Sequence, residues 1–234
     1  MGKSPVILVN MAVDVINNRE NDVVITQYVQ RISDAGAVPM LIPSIEKEEN
    51  IETLLDLADG VLLIGGRDYN PAHYGEKPHP ECMLNRLRPH FDIAFGKAVL
   101  KRQMPVLGIC AGCQLLNIVS GGKLIQHLDN AVEHRNGVFH RAKILHDGFF
   151  AKGAGLSAGD EMTVNSYHHQ AVPPAALGAG FKITAQAFDG SVEATEMEGP
   201  RMVLGVQFHP ERMDDIGPGF FNLLKEEAAA FHNR

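Results

Sequence analysis

Short apolar runs alternate with amphipathic segments along the first half of the chain. Continuous apolar runs bounded by turn residues are typical of strands that are covered on both faces. Such runs predict strands at residues 6–9, 38–42, 61–64 and 105–109. Between them, apolar residues at helical spacing predict helices at residues 22–35, 51–58, 91–101 and 111–120. This alternation indicates a parallel sheet with helices on both faces, in which a ligand binds beyond the carboxyl ends of the strands.

The second half of the chain is richer in strands. Its apolar pattern predicts strands at residues 139–145, 161–164, 181–188, 191–196 and 202–208, and a final helix at 214–232. Asp189-Gly190, between two of these strands, is a strong hairpin signal. The proline-rich segment 67–89 is expected to be a loop across one face, where binding residues often lie. Because no linker divides these segments, we expect one domain that spans residues 1–234.

The composition narrows the class of protein. The 234 residues include 21 lysines and arginines against 28 aspartates and glutamates, and the net charge of −7 argues against a nucleic-acid partner. Three cysteines cannot all pair with one another, which argues against a secreted disulfide framework. No apolar run approaches the roughly 20 residues of a membrane span, and the first run is too short for a signal peptide. We therefore expect a cytoplasmic protein that does not bind a membrane.

Cys110 lies where a predicted strand meets a predicted helix, in the pentapeptide Gly108-Ile109-Cys110-Ala111-Gly112. This is the pattern of a nucleophile elbow, in which glycines leave room for a strained turn. The turn places the sulfur at the start of the helix, whose free N–H groups and dipole favour a thiolate. The alternative is a buried structural cysteine beside a chance pair of glycines.

A nucleophilic cysteine needs a base and a group that orients the base. His209 and Glu211 follow the last predicted strand, and their side chains would point the same way if that strand continued. The carboxylate would then hold the imidazole by a hydrogen bond, although a surface turn is the simpler interpretation of this segment alone. The N–H of Ala111 and a backbone N–H from Gly65-Gly66 are candidate oxyanion donors.

Eleven histidines raise the question of a metal site. His168 and His169 are adjacent and would point in opposite directions in an extended segment, so they cannot easily share one ion. His209 and Glu211 have no third ligand at an evident spacing. We therefore expect no catalytic metal and no cofactor. Four other histidines are expected at the surface or at the edge of the core, namely His127, His134, His140 and His146.

Four segments of the chain together resemble a known family. They are residues 108–114 around Cys110, with Asn117 downstream, residues 206–211 around His209, residues 164–172, and Gly65-Gly66 with Asp68, Pro71 and Tyr74-Gly75. Nearly the whole chain is similar to the class I glutamine amidotransferase fold, within it to the peptidase C26 branch, and most closely to γ-glutamyl-γ-aminobutyrate hydrolases.

The resemblance implies a flavodoxin-like α/β fold, a three-layer sandwich whose central, mostly parallel sheet is flanked by helices. It implies a catalytic triad of Cys110, His209 and Glu211, with an oxyanion hole formed by Gly66 and Ala111. It further implies that four residues help to hold the α-amino and α-carboxylate groups of a glutamyl substrate, namely Gln114, Ser166, Tyr167 and His168.

The activity implied by the resemblance is hydrolysis of γ-glutamyl amide bonds through a γ-glutamyl thioester. One alternative is a glutaminase subunit that delivers ammonia to a separate synthase partner, and another is a non-enzymatic regulatory protein in which Cys110 is inert. The ligand expected in both enzymatic cases is a small γ-glutamyl molecule, and homo-oligomerisation stays open. Four residues depart from the family's pattern and bear on substrate rather than on the triad, namely Pro89, Asp92, Ala111 and Phe208.

Overall fold

The computed structural model describes residues 3–44, 47–84 and 88–232, apart from the side chains of residues 88 and 89. The strands are β1 (Val6–Asn10), β2 (Ala12–Ile16), β3 (Arg19–Val23), β4 (Val38–Ile42), β5 (Gly60–Leu63), β6 (Val106–Ile109), β7 (Val138–Ile144), β8 (Glu161–Ser166), β9 (Phe181–Ala187), β10 (Val192–Met197) and β11 (Val203–Val206). The helices are α1 (Thr26–Asp34), α2 (Glu49–Asp56), α3 (Arg88–Lys101), α4 (Ala111–Val119), α5 (Phe149–Ala154) and α6 (Gly217–His232). Short 3₁₀ helices lie at Pro71–Tyr74, Ala131–His134 and Pro210–Arg212.

Within these described residues, nine strands form one sheet in the order β4-β1-β5-β6-β11-β10-β9-β7-β8. The five strands from β4 to β11 in this order are parallel to their neighbours, and the remaining four continue the sheet in antiparallel pairing. Parallel neighbours need long crossover connections, which explains why helices separate the apolar strands in the first half of the chain. The α/β fold with a central, mostly parallel sheet flanked by helices is therefore confirmed.

Apolar side chains fill both faces of the sheet. On β1, Ile7 and Val9 pack with Tyr28 of α1, whereas Leu8 belongs to a second core on the opposite face. Helices α1, α5 and α6 cover the first face, and α2, α3 and α4 cover the second. Because successive strand residues point to opposite faces, a strand that is covered on both sides must be apolar throughout.

None of the helices in residues 3–44, 47–84 and 88–232 combines the length and the apolar character that crossing a lipid bilayer requires.

The polar segment between β1 and α1 differs from the prediction. The helix predicted at 22–35 begins only at Thr26, because β2 and β3 form an antiparallel hairpin immediately before it. Asn17 and Asn18 have φ angles of 52° and 59°, as a two-residue hairpin turn of type I′ requires. The hairpin strands are largely exposed, so they lack the apolar alternation that would have predicted them.

The loop predicted at 67–89 is shorter than expected. Helix α3 already begins at Arg88, and residues 85–87 lie outside the described part of the chain. The described part of the loop contains the 3₁₀ helix Pro71–Tyr74 and a short bridge between Asp68 and Leu84. Helix α5 was also not predicted, because its six residues are too few to show a clear helical period.

Candidate active site

Cys110 occupies a sharp turn between β6 and α4. Its φ and ψ angles are 51° and −105°, a strained conformation for a residue with a side chain. A Cβ on Gly112 would collide with the carbonyl oxygen of Leu63, and one on Gly108 would lie 2.6 Å from the carbonyl oxygen of Gly112. The flanking glycines are therefore required for this turn, which sets the Cys110 sulfur at the N-terminus of α4.

His209 and Glu211 lie beyond the end of β11. The strand ends at Val206, so the condition of a continuing strand is not met. The 3₁₀ helix Pro210–Arg212 instead brings Glu211 to the imidazole. Nδ1 of His209 lies 2.6 Å from Oε1 of Glu211, whose side chain is fully buried. The side-chain amide of Asn165 holds the backbone of His209. Its oxygen accepts a hydrogen bond from the His209 N–H, and its nitrogen donates one to the His209 carbonyl oxygen, both at 2.9 Å.

The charge state of His209 depends on Cys110 and Glu211. Burial alone would lower the pKa of His209, but the negative charge and hydrogen bond of Cys110, reinforced by Glu211, raise it to about 10. At neutral pH the imidazole therefore carries a proton, and an imidazolium in this position stabilises a thiolate on the neighbouring sulfur. This pairing is the electrostatic arrangement that a nucleophilic cysteine requires.

Cys110 and His209 share the wall of one cavity of about 420 Å³. This volume suits a small organic molecule. The β2–β3 hairpin forms one wall with Ala12, Val13 and Asp14, so an element that the sequence did not predict shapes the site.

The two candidate oxyanion donors differ in their relation to the cavity: Gly66 lines it, whereas Ala111 follows Cys110, which lines it. Ala111 is the first residue of α4, and the first N–H groups of a helix have no partner within it. Gly66 follows β5 and lines the cavity. The preceding N–H, of Gly65, donates to the hydroxyl of Tyr28 at 3.2 Å.

Tyr28 and Gln207 contact the site but were not predicted to do so. The Tyr28 hydroxyl lies 3.5 Å from Nδ1 of His209. Burial, followed by the negative charges of Glu211 and Cys110, raises the pKa of Tyr28, which keeps the phenol protonated. Nε2 of Gln207 lies 3.5 Å from the Cys110 sulfur. Tyr28 was not predicted as a site residue, because its position on the apolar face of a predicted helix already accounted for its apolar character.

The four predicted substrate-binding residues take different positions. Among the described residues, the cavity lining includes Tyr167 but not Gln114, Ser166 or His168. The Tyr167 ring is 40% exposed and meets the His209 ring edge-on at 5.4 Å between centroids. Gln114 donates from its buried amide to the carbonyl of Gln170 and to the side chain of Gln207. Ser166 and His168 are buried and contact a separate cluster of histidines, which is described below.

The departures from the family's pattern have structural partners where their side chains are described. Phe208 is fully buried and packs in the core against Phe150 and Phe220. Asp92 is also buried and accepts hydrogen bonds from the Asn10 amide at 2.9 Å and the Tyr69 hydroxyl at 2.7 Å. The side chain of Ala111 is buried in the core on the α4 face, and the side chain of Pro89 lies outside the described part of the chain.

The other two cysteines lie outside the cavity lining that is described. Burial raises the pKa of the Cys113 thiol to about 12, so this residue stays protonated in the core. Cys82 is partly buried beside the side chain of Gln126, 3.4 Å from its Oε1. Cys110 is therefore the cysteine that the fold presents to a ligand.

Comparisons with known proteins agree with the motifs. The sequence model of the family "Peptidase C26" matches residues 5–211. The chain is 37% identical over 217 residues to "Putative glutamine amidotransferase Rv2859c" of Mycobacterium tuberculosis. This alignment covers 88% of the chain and 68% of that protein. It is 28% identical over 223 residues to "Gamma-glutamyl-gamma-aminobutyrate hydrolase PuuD" of Escherichia coli. This alignment covers 89% of the chain and 86% of that protein.

Solved structures support the same fold. The chain superposes on a "putative gmp synthase subunit a protein" of Thermoplasma acidophilum with a TM-score of 0.70 and 19% identity, over 100% of this chain and 98% of that one. It superposes on a "glutamine amido transferase" of Methylobacillus flagellatus with a TM-score of 0.59 and 14% identity, over 92% and 73%. The expected class I glutamine amidotransferase fold is confirmed.

Proposed function

The chain belongs to the peptidase C26 family, and on that basis we propose that it is a cysteine-dependent hydrolase of γ-glutamyl amide bonds. The names of its relatives point to cleavage of a carbon–nitrogen bond. The observation that carries the proposal is the shared cavity wall of Cys110 and His209, with Glu211 2.6 Å behind the imidazole. Such a nucleophile, base and orienting carboxylate form the minimal set for acyl transfer.

In the first half of the reaction, the Cys110 thiolate attacks the γ-carbonyl carbon and forms a carbon–sulfur bond. The resulting tetrahedral intermediate collapses as its carbon–nitrogen bond breaks, and His209 donates its proton to the leaving amine. Glu211 keeps the imidazole oriented throughout. The products of this half are the free amine and a γ-glutamyl thioester on Cys110, with His209 now neutral.

In the second half, neutral His209 takes a proton from water, whose oxygen attacks the thioester carbonyl. Collapse of this second tetrahedral intermediate breaks the carbon–sulfur bond and releases glutamate. The thiolate and the protonated imidazole are thereby restored. The N–H groups of Gly66 and Ala111 stabilise the oxyanion in both halves, and loss of one such donor typically lowers the rate by about 100-fold or more.

Charged side chains on the cavity wall suit the α-amino and α-carboxylate groups of a glutamyl substrate. Arg67 and Asp14 both line the cavity, with 3.8 Å between Nη2 and Oδ1. Arg212 lines it beside Tyr167, with its guanidinium 4.3 Å from the ring centroid. We assign the arginines to the α-carboxylate and Asp14 to the α-ammonium group, since each pairing forms charge-assisted hydrogen bonds.

Of the four residues that the family resemblance assigns to substrate binding, we assign direct contact to Tyr167 alone. Gln114 acts through Gln207, because its amide donates to Oε1 of Gln207 at 3.2 Å and Gln207 in turn contacts the Cys110 sulfur. Ser166 and His168 flank Tyr167 in the chain, but both are buried outside the described cavity lining, so we assign them no direct contact with the substrate.

Incubation with γ-glutamyl-γ-aminobutyrate tests the proposal, with amine release and the intact mass of the protein followed together. We expect steady amine release and a transient γ-glutamyl adduct that maps to Cys110. Cys110→Ala should abolish both signals, whereas Cys82→Ala, outside the cavity, should retain both. Full turnover by Cys110→Ala would refute the mechanism.

A glutaminase subunit is the second candidate function. Its support is the superposition on the structure described as a GMP synthase subunit, which concerns the fold. In this case the leaving amine is ammonia and a separate synthase chain consumes it. Rapid cleavage of γ-glutamyl amides by the purified chain alone favours the hydrolase, whereas turnover of glutamine only in the presence of a synthase favours the subunit.

A further inference from the structure

Three histidines and a glutamate form a cluster outside the proposed active site, in which His140 is half-buried and the other three are buried. His134 ends the 3₁₀ helix Ala131–His134, His140 lies on β7, His168 follows β8, and Glu193 lies on β10. The His134 ring lies 4.8 Å from the His140 ring and 4.9 Å from the His168 ring, between centroids. The described lining of the catalytic cavity contains none of the four. The proposed reaction leaves this cluster without a role.

His168 presents a nitrogen without a hydrogen-bond partner to the carboxylate of Glu193. Nδ1 of His168 lies 3.0 Å from the carbonyl oxygen of Gln170, so Nδ1 carries the hydrogen and Nε2 carries a lone pair. Nε2 has no hydrogen-bond partner among the described residues, and it lies 3.9 Å from Oε1 of Glu193. Both side chains are 99% or more buried, with exposed fractions of 1% and 0%. Oε1 of Glu193 already pairs with Nε2 of His140, but Nε2 of His168 and Oε2 of Glu193 have no partner among the described residues. Buried acceptors in this state are costly unless a cation or a proton supplies the missing partner.

The remaining members bring further ligand atoms to the same place. Nε2 of His140 lies 2.9 Å from Oε1 of Glu193, the oxygen that His168 also faces. His134, His140 and Glu193 each offer one ligand atom, and these atoms all lie within 4.8 Å of one another. Ligands about 2.0–2.2 Å from a zinc ion lie roughly 3.3–3.5 Å apart in a tetrahedron, so small side-chain movements would complete the coordination.

The surroundings of the cluster suit a divalent cation. Oδ2 of Asp189 lies 2.7 Å from Nε2 of His134, as does the carboxylate that commonly supports a metal-bound histidine. Nδ1 of His134 is then the ligand atom, and it exchanges its contact with the Ser166 hydroxyl, at 3.2 Å, for the ion. Glu193 and Asp189 together supply two negative charges, which would balance one divalent ion in this buried position. Imidazole and carboxylate donors in tetrahedral arrangement favour Zn²⁺.

We infer that His134, His140, His168 and Glu193 form a structural Zn²⁺ site that ties β7, β10 and the segment after β8 together. This site is separate from the proposed triad of Cys110, His209 and Glu211, where we expect no metal. A bound ion would also stabilise the backbone near the proposed active site. The Gln207 N–H donates to the Glu193 carbonyl oxygen at 2.8 Å, and Gln207 lies two residues before His209. The inference does not depend on the proposed hydrolase activity.

Zinc titration of the chelator-treated, full-length Cys110→Ala protein tests the inference, because this background lacks the thiol of the proposed active site. We expect calorimetry to show one Zn²⁺ bound per chain with release of protons, since ligation requires neutral imidazoles. Added Zn²⁺ should raise the melting temperature. Co²⁺ in place of Zn²⁺ should produce the visible absorption of a tetrahedral site.

Two ligand variants and one control separate this site from surface binding. In the same background, His140→Asn and Glu193→Gln should each weaken Zn²⁺ binding by more than about tenfold and remove the Co²⁺ absorption. His146→Asn replaces an exposed histidine and should change neither. Circular dichroism without metal establishes which variants fold, and if neither ligand variant folds, the Co²⁺ spectrum of the background protein decides. Absence of Zn²⁺ binding, a Co²⁺ spectrum without tetrahedral character, or equal binding by folded ligand variants would overturn the inference.

Discussion

Replacement of Glu211 by glutamine separates the charge of this residue from its shape. Oε1 of Glu211 lies 2.6 Å from Nδ1 of His209, and the Glu211 side chain is fully buried. The carboxylate also contributes to the raised pKa of His209. Glu211→Gln keeps a hydrogen-bond acceptor of the same size but removes the counter-ion of the imidazolium.

The size of the effect follows from the geometry. Two unit charges about 4 Å apart attract each other by about 4 kcal/mol at an effective dielectric constant of about 20. The amide oxygen of glutamine retains part of this stabilisation as a neutral hydrogen bond, worth about 1 kcal/mol. The net loss of about 3 kcal/mol disfavours the reactive thiolate–imidazolium pair relative to the neutral thiol and imidazole, which corresponds to a decrease in kcat/KM of about 100-fold.

Steady-state hydrolysis of γ-glutamyl-γ-aminobutyrate measures this loss, with circular dichroism to establish that the variant is folded. Glu198→Gln makes the same chemical change at an exposed position and should match the wild-type kcat/KM. A folded Glu211→Gln variant whose kcat/KM falls by less than about threefold would refute the reasoning, because the buried charge would then contribute almost nothing to catalysis.

Three further predictions concern stability and the support of His209. The raised pKa of His209 means that its protonation stabilises the folded state fully below about pH 6.5, and that this contribution is lost as the pH rises toward about 10. Urea unfolding across this pH range should therefore show a smaller decrease in the free energy of unfolding for Cys110→Ala than for the wild type, because the variant lacks the charge that raises the pKa of His209. Tyr28→Phe removes a hydroxyl 3.5 Å from Nδ1 of His209 and should lower kcat about fivefold, or about 1 kcal/mol, with little change in KM. Gly112→Ala should lower the free energy of unfolding by about 2 kcal/mol, because the new Cβ collides with the last carbonyl of β5; an unchanged denaturation midpoint would contradict this.

The parallel strands were predictable because their environment leaves a direct mark on the sequence. β1, β5, β6 and β11 are covered on both faces, so they are apolar at nearly every position. The β2–β3 hairpin is exposed, so polar and apolar residues are equally tolerated there. Its one local signal is Asn17-Asn18 at the turn, and this signal is weak unless apolar alternation flanks it.

Contacts between residues far apart in the sequence were harder to predict from local patterns. The nucleophile motif could be recognised because the tight turn at Cys110 requires local glycines. Tyr28 and Gln207 are placed against the site by tertiary packing, and their local patterns do not reveal it. The histidine cluster draws one residue from each of four separate segments, so no ligand spacing exists in the sequence to identify it.

The geometry of the proposed active site depends on the register between β6 and β11. Gly108 and Gly205 are direct neighbours in this register, and a Cβ on either would lie only 2.6 or 2.7 Å from an atom of α4. The two glycines therefore let α4 lie directly on the sheet, where the Cys110 N–H donates to the last carbonyl of β11 at 2.8 Å. A shift of β11 by one residue would move His209 by about 3.3 Å and reverse the face to which each side chain of the strand points. Backbone register, fixed by two glycines, thus determines whether the sulfur and the imidazole meet.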